Sequence, residues 1–209
     1  RKVTQTVRQS VDEALKCLSD RQLDSGGFIS MGFENSESCS QVITALCSLG
    51  IDLGKDERFI KDGHTVLDAL MSYQQKDGGF LHSREYDEEN PEADPDASNL
   101  LASGQACYAL TALCRYYGGL RTLYDFREEP SQEVKEQITQ ARAAIQGLGD
   151  SAETSALQAA YEAYLAVPVE ERSYVYEYAD LAEQMKEAGL ANDSEYLAAS
   201  MEQIGRAHV

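Results

Sequence analysis

The chain has 209 residues, and its 36 acidic and 18 basic side chains give a formal net charge of −18 at pH 7. A surface this acidic repels phosphate groups, so we expect neither nucleic acid nor an anionic membrane face as a partner. Hydrophobic residues make up 43% of the chain, which is typical of a folded globular protein, and no apolar run reaches the ~18 residues that direct membrane insertion requires.

The chain begins with a helix, a glycine-containing turn and a second helix. Apolar residues recur at helical spacing from Val7 to Leu18 and again from Val42 to Leu49. Between them, residues 22–28 read Q-L-D-S-G-G-F. Paired glycines end a helix and permit a positive φ in the turn that follows. We therefore predict an αα-hairpin here.

The turn motif returns 52 residues later as Q-Q-K-D-G-G-F, again between two apolar stripes of helical spacing, Val66–Met71 and Ala106–Leu113. A fixed repeat of a helix pair predicts stacked αα-hairpins. Residues 45–47 and residues 112–114 both read A-L-C, and their spacing exceeds the 52-residue spacing of the turns by 15. We therefore predict 15 extra residues in the second loop, at 83–97. The structural repeat residues are Gln22, Gly26, Gly27 and Phe28 in the first copy and Gln74, Gly78, Gly79 and Phe80 in the second.

The extra residues are strongly acidic. Carboxylates at such density can bind Ca²⁺, but no glycine-punctuated calcium-loop spacing is present. We interpret the segment as a solvated loop, with calcium binding as the alternative. Its carboxylates are Glu85, Asp87, Glu88, Glu89, Glu92, Asp94 and Asp96.

The spacing Q-x-x-x-G-x-aromatic resembles the repeat of squalene and terpenoid cyclases and is similar to that of protein prenyltransferase β-subunits. Those proteins fold as an α/α toroid, with two concentric rings of helices around a cavity. The resemblance covers residues 3–126 and implies an all-α fold, a partial α/α toroid. Two hairpins are too few to close such a ring, so we expect further hairpins upstream of this segment.

In prenyltransferase β-subunits, an Asp-x-Cys and a His from neighbouring inner helices bind zinc. By resemblance these positions hold Glu37, Cys39 and Gln105 in this chain. An amide is a poor zinc ligand beside imidazole. The resemblance thus implies a degenerate site at a cavity mouth, which we interpret as a ligand-binding position with no metal and no cofactor.

Squalene–hopene-type cyclases use an acidic D-x-D-D to protonate an alkene. The nearest match, residues 94–97, reads D-P-D-A and lacks the second adjacent carboxylate. The chain has no Trp, whereas cyclases line their cavity with aromatic rings that stabilise carbocations. The D-D-x-x-D motif for diphosphate and Mg²⁺ is also absent. We therefore assign no catalytic residue.

The histidines and cysteines are predicted to be structural. His64 and His82 have no partner at metal-ligand spacing. The five cysteines are odd in number and form no C-x-x-C pair. We interpret them mainly as small apolar core residues, with no disulfide framework.

The pattern changes after Phe126, so we predict a first domain of residues 1–126 and a second of residues 127–203. Residues 127–130 form a linker, and Ser131 is a candidate helix cap. Three apolar stripes follow at residues 134–148, 157–165 and 175–185, which predicts a three-helix bundle. A fourth helix is expected from Asp193. This half resembles the three-helix spacer modules of bacterial cell-surface proteins.

The last six residues, 204–209, read I-G-R-A-H-V and resemble a translated sequencing adapter. We exclude them from the functional argument. The surface-protein resemblance leads us to expect an extracellular or cell-surface location, with a signal peptide missing from this segment.

Taken together, these features predict a non-catalytic binding or interaction module of a secreted or surface-anchored bacterial protein, with a small ligand or a protein as its partner. The alternative is an isoprenoid enzyme, a terpenoid cyclase or a prenyltransferase-like protein, whose catalytic residues lie partly outside this segment.

Overall fold

The computed structural model of the chain describes residues 2–86, 88, 90–91, 93–149 and 152–190. These residues are mostly helical. They form two compact units, one within residues 10–127 and one within residues 128–190 together with residues 2–9. Among the described residues, no helix has both the length and the apolar character needed to cross a bilayer. The fourth helix predicted from Asp193 and the suspected tail at 204–209 lie outside the described residues.

Three helices lie wholly within the first unit, and the first helix of the chain enters it at Ser10. The four helices coincide with the four apolar stripes of the sequence. Each of the last three begins at a side-chain cap: Asn35 accepts from the Ser38 amide, Thr65 from the Asp68 amide and Asn99 from the Ala102 amide. The helices are α1 (Lys2–Arg21), α2 (Ser36–Ser48), α3 (Val66–Met71) and α4 (Leu100–Tyr117).

Two short antiparallel hairpins also occur in this unit, and the all-α prediction did not include them. They join β1 (Ile29–Ser30) to β2 (Phe33–Glu34), and β3 (Ile60–Lys61) to β4 (His64–Thr65). Both turns place two consecutive residues at positive φ, +55° and +94° at residues 31–32 and +47° and +81° at residues 62–63. This is the geometry of the tight turns that close two-residue hairpins. A 3₁₀ turn, Glu57–Phe59, precedes β3.

The two glycine turns of the repeat have the same backbone geometry. In the first turn the Leu23 amide donates to the Gly27 carbonyl at 3.0 Å, and in the second the Gln75 amide donates to the Gly79 carbonyl at 2.8 Å. Gly26 and Gly78 both have positive φ, +82° and +90°. The two turns therefore share one backbone hydrogen bond and one left-handed glycine.

The predicted length of the insertion is wrong. The helix caps that follow the turns, Asn35 and Asn99, each donate their amide to the carbonyl of the turn phenylalanine. These caps lie 64 residues apart and the turns 52, so the second loop is longer by 12 residues rather than 15. The match of residues 45–47 to residues 112–114 differs by three residues from the alignment given by the two caps. Because residues three apart share a helix face, the apolar stripe fits both alignments.

Helices α2 and α4 lie side by side and run in the same direction. The Gln41 side chain near the start of α2 donates to Gln105 near the start of α4 at 3.0 Å. At the other ends of the helices, the Tyr116 hydroxyl in the last turn of α4 donates to the carbonyl of Gly50, which follows α2, at 3.3 Å. The core of the unit lies around α2, where Cys39, Ile43 and Leu46 are fully buried.

The second unit consists of α5 (Gln132–Gln146), α6 (Thr154–Ala166), a 3₁₀ turn (Val169–Tyr174) and α7 (Tyr178–Glu187). Ser131 caps α5 as predicted, accepting from the Val134 amide. At the centre of the unit, the rings of Tyr164 and Tyr178 stack with centroids 4.0 Å apart. The core of this unit comprises Ala141, Ile145, Leu157, Ala160, Tyr164, Val167, Val175, Tyr178, Leu181 and Met185.

Candidate functional site

Cys39 lies in the core beneath the predicted site, with no exposed surface. Burial raises the pKa of its thiol to about 12, against the opposing effect of a hydrogen bond from the Phe28 backbone. The same position of the second hairpin holds Ser103, whose hydroxyl accepts a hydrogen bond from the Phe80 amide at 2.8 Å. The two residues therefore occupy the same position near the start of an inner helix, and in the second hairpin that position is joined to the turn phenylalanine by a hydrogen bond.

Glu37 is paired with His82, 45 residues away. Its Oε1 lies 2.8 Å from His82 Nδ1, and both side chains are largely buried. The pair forms because residues 81–83 run along the start of α2, where the Ser36 hydroxyl donates to the Leu81 carbonyl and the Ser36 amide to the His82 carbonyl. The side-chain partner of His82 is therefore a carboxylate far away in the sequence.

Gln105 belongs to a separate hydrogen-bonded group on the facing turns of α2 and α4. Gln41 Nε2 donates to Gln105 Oε1 and to the Tyr108 hydroxyl, and that hydroxyl lies 3.3 Å from Gln105 Oε1. Burial raises the pKa of Tyr108, so its hydroxyl stays protonated at neutral pH.

The two groups form one polar strip, because Glu37 and Gln41 are one turn apart on α2 and so share a face. The polar strip comprises Glu37, Gln41, His82, Gln105 and Tyr108. It contains two of the three predicted site residues, and Cys39 lies beneath it rather than within it. Among the residues that the structure describes, no three or more His, Cys, Asp or Glu side chains are grouped to hold a metal ion.

The acidic insertion is described only in part, since Asp87, Glu89 and Glu92 lie outside the described residues. Asp94 and Asp96 are exposed, and the Asp94 carboxylate accepts from the Asp96 amide at 2.8 Å. This bond is an Asx turn, in which the side chain of an aspartate closes its own loop. The nearest match to the cyclase acid motif is thus a turn on the surface.

His64 and the cysteines were also predicted to be structural, and some of the cysteines are exposed. His64 lies in β4, and its Nδ1 is 3.0 Å from the Asp24 carbonyl. Cys47 is buried like Cys39, and all five cysteines are free. The prediction of buried core cysteines is wrong for Cys17, Cys107 and Cys114, which are exposed because they lie on the outward faces of α1 and α4.

Comparison of the chain with family models, with curated proteins and with solved structures found no match.

Proposed function

We propose that the chain is a non-catalytic binding module of a secreted or surface-anchored bacterial protein. The observation that carries this proposal is the equivalence of Cys39 and Ser103. In the zinc enzymes that the repeat resembles, the cysteine is a metal ligand, whereas here Cys39 is fully buried in the core, and the equivalent Ser103 accepts a hydrogen bond from the Phe80 amide of its own turn. A fully buried thiol whose pKa is raised supplies little thiolate, the form that metals and electrophiles require.

The hydrogen bonds of the other two site residues support the same proposal. Glu37 is held by His82, and Gln105 by Gln41 and Tyr108. Neutral amide and phenol groups bind ligands through directional hydrogen bonds and are weak zinc ligands. We propose the polar strip as the surface that contacts the ligand. The net charge of −18 favours a neutral or cationic ligand over an anionic one.

We propose further that the first unit is part of an α/α toroid and that the second is a three-helix spacer. The parallel packing of α2 against α4 and the equal geometry of the two turns support the toroid. The packing of α5, α6 and α7 around one core supports the spacer. A spacer beside a binding unit fits a protein displayed at a cell surface, and an antibody against the chain is expected to label intact source cells.

Zinc binding and turnover test the proposal against an isoprenoid enzyme. Purified protein is titrated with Zn²⁺ by calorimetry and then incubated with a polyprenyl diphosphate. We expect no stoichiometric zinc uptake and no product. One zinc per chain that is lost in Cys39→Ala but retained in Cys114→Ala would overturn the proposal, and so would conversion of the polyprenyl diphosphate.

A further inference from the structure

The outer part of the polar strip consists of neutral groups, because the carboxylate of the strip is used inside the protein. Glu37 Oε1 is paired with His82 Nδ1 at 2.8 Å, and the two side chains are only 14% and 21% exposed. The other members are the amides of Gln41 and Gln105 and the hydroxyl of Tyr108, which are joined to one another by hydrogen bonds. A ligand at the strip therefore meets amide and phenol groups first.

Each of the two amides has one end that the strip does not use. Gln41 Nε2 donates to Gln105 Oε1 at 3.0 Å, which leaves the Oε1 acceptor of Gln41 and the Nε2 donor of Gln105. Neither atom has a hydrogen-bond partner among the residues that the structure describes. Gln41 is exposed and Gln105 is half-buried, and the packing of α2 against α4 holds them side by side. The strip thus offers one acceptor atom and one donor atom at neighbouring positions.

A hydroxyl group satisfies this pair of atoms better than a charged group does. A hydroxyl both donates and accepts, so one hydroxyl can donate to Gln41 Oε1 and accept from Gln105 Nε2. A carboxylate only accepts and an ammonium group only donates, so each would leave one of the two atoms without a partner. The net charge of −18 also disfavours an anion. The strip therefore favours a neutral ligand that carries hydroxyl groups.

Exposed apolar side chains adjoin the strip. Leu101 lies one turn before Gln105 on the same face of α4 and is 65% exposed. Burial raises the pKa of Tyr108, and the nearby phenol of Tyr124 raises it further. Tyr124 is also 65% exposed, and a tyrosine ring offers an apolar face beside its polar hydroxyl. A sugar ring has the matching combination, since it carries hydroxyl groups at its edge and C–H groups on its faces.

Small molecules and peptides suit the strip less well. Small-molecule sites are concave and enclose most of their ligand, whereas no residue of the strip lines the groove of about 470 Å³ beside the second glycine turn. Peptides bind to an unpaired strand edge, an apolar groove, an aromatic-lined groove or an arginine cluster. The strip lies on two helices, whose backbone groups bond internally, and it has one aromatic ring and no arginine.

We propose that the polar strip binds a neutral oligosaccharide, whose hydroxyl groups bond to the free amide ends of Gln41 and Gln105. The C–H faces of the sugar rings pack against Leu101 and Tyr124 at the edge of the strip. This inference rests on the proposed function, because it names the class of ligand for the same surface.

The side-chain amide signals of ¹⁵N-labelled full chain test this proposal, because they report on the two amides directly. The protein is titrated with maltohexaose, cellohexaose, xylohexaose and mannohexaose to about 10 mM, which covers a weak contact. Hexagalacturonate supplies an anionic chain, and the glucosamine hexamer supplies a cationic one. Gln41→Ala and Gln105→Ala remove one amide each. Gln140→Ala, at an exposed glutamine of α5, is the matched control, and alanine favours the helix at all of these positions.

We expect at least one neutral hexasaccharide to shift the amide signals of Gln41 and Gln105 saturably and to bind more tightly than either charged chain. Each strip variant should bind it about tenfold more weakly, since one or two hydrogen bonds are lost, and Gln140→Ala should bind it as the wild type does. No saturable shift with any neutral probe, or full binding by both strip variants, would overturn the proposal.

The charged probes separate this proposal from the proposed function. Binding of the glucosamine hexamer without binding of a neutral chain would overturn the oligosaccharide proposal but agree with a binding module for a cationic ligand. Tighter binding of hexagalacturonate would overturn it as well, because the strip would then accept an anion. Zinc uptake or turnover of a polyprenyl diphosphate would instead overturn the proposed function itself.

Discussion

A Cβ added at Gly26 would lie 2.2 Å from the carbonyl oxygen of Thr65, so the first glycine turn is closed directly against the backbone that precedes α3. The equivalent Gly78 has the same left-handed conformation, φ +90° against +82°, but faces open space. Gly78 is therefore required only for its left-handed backbone conformation. Gly26 is required for that conformation and also because a side chain there would collide with the backbone of the next hairpin.

Alanine at each glycine measures these two requirements. Gly78→Ala should lower the unfolding free energy by about 1–2 kcal/mol, the strain of a left-handed alanine. Gly26→Ala should cost about 1–3 kcal/mol more, because the backbone of β4 must also move. Urea denaturation of both variants gives the comparison. Equal losses of unfolding free energy in the two variants would show that the close contact between Thr65 and the turn does not affect stability.

Cys39 is expected to tolerate serine better than alanine. Serine places a hydroxyl oxygen where Ser103 accepts from the Phe80 amide in the second hairpin. Alanine offers no acceptor at this position, and a buried backbone amide left without one costs about 1–3 kcal/mol. The midpoints of urea denaturation should therefore rank wild type, Cys39→Ser, Cys39→Ala from highest to lowest. A less stable serine variant would argue that apolar packing, and not the hydrogen bond, decides this position.

Thiol labelling should separate the cysteines into two classes. Cys17, Cys107 and Cys114 are exposed and should react rapidly with an aromatic disulfide reagent at neutral pH. Burial raises the pKa of Cys39 to about 12 and that of Cys47 to about 11, so both should react only as fast as the unit unfolds. Five rapid thiols in native protein would contradict the burial of α2, and unfolded protein is the control for the total.

The capping box of α3 should make stability depend on pH. The Thr65 amide and hydroxyl both donate to the Asp68 carboxylate and hold the pKa of Asp68 below its ordinary value of 3.8. The stabilisation is therefore complete above that ordinary value and is lost as the pH falls through the lower folded-state pKa. The difference in unfolding free energy between wild type and Asp68→Asn should be constant near neutral pH and shrink in acid.

Thr65→Ala provides a second measurement of the same cap. It removes the hydroxyl that accepts from the Asp68 amide and should cost about 1 kcal/mol at neutral pH. Thr139→Ala, at an exposed position within α5, is a matched control for the loss of a threonine without loss of a cap. An equal cost at both positions would mean that the box contributes no specific stability.

Much of the fold could be predicted because its signals are local. The stripes ending at Leu18 and Leu49, and those at residues 66–71 and 106–113, each became a helix, since apolar periodicity and caps act within a few residues. The glycine turns were predicted for the same reason. The β3–β4 hairpin also had a local signal, since Asp62-Gly63 favours a two-residue turn, but strands of two residues carry no readable periodicity.

The candidate site was less predictable, because its contacts join distant parts of the chain. The sequence alone determined which residues are helical, where the glycine turns fall and that the surface is acidic, all of which follow from local geometry and composition. Only the tertiary structure decided that His82 meets Glu37, that Gln41 meets Gln105, and that Cys39 is buried while Cys107 is exposed. These outcomes depend on which helices pack against each other. That packing depends on surfaces to which several segments of the chain contribute, so it cannot be predicted from any one segment.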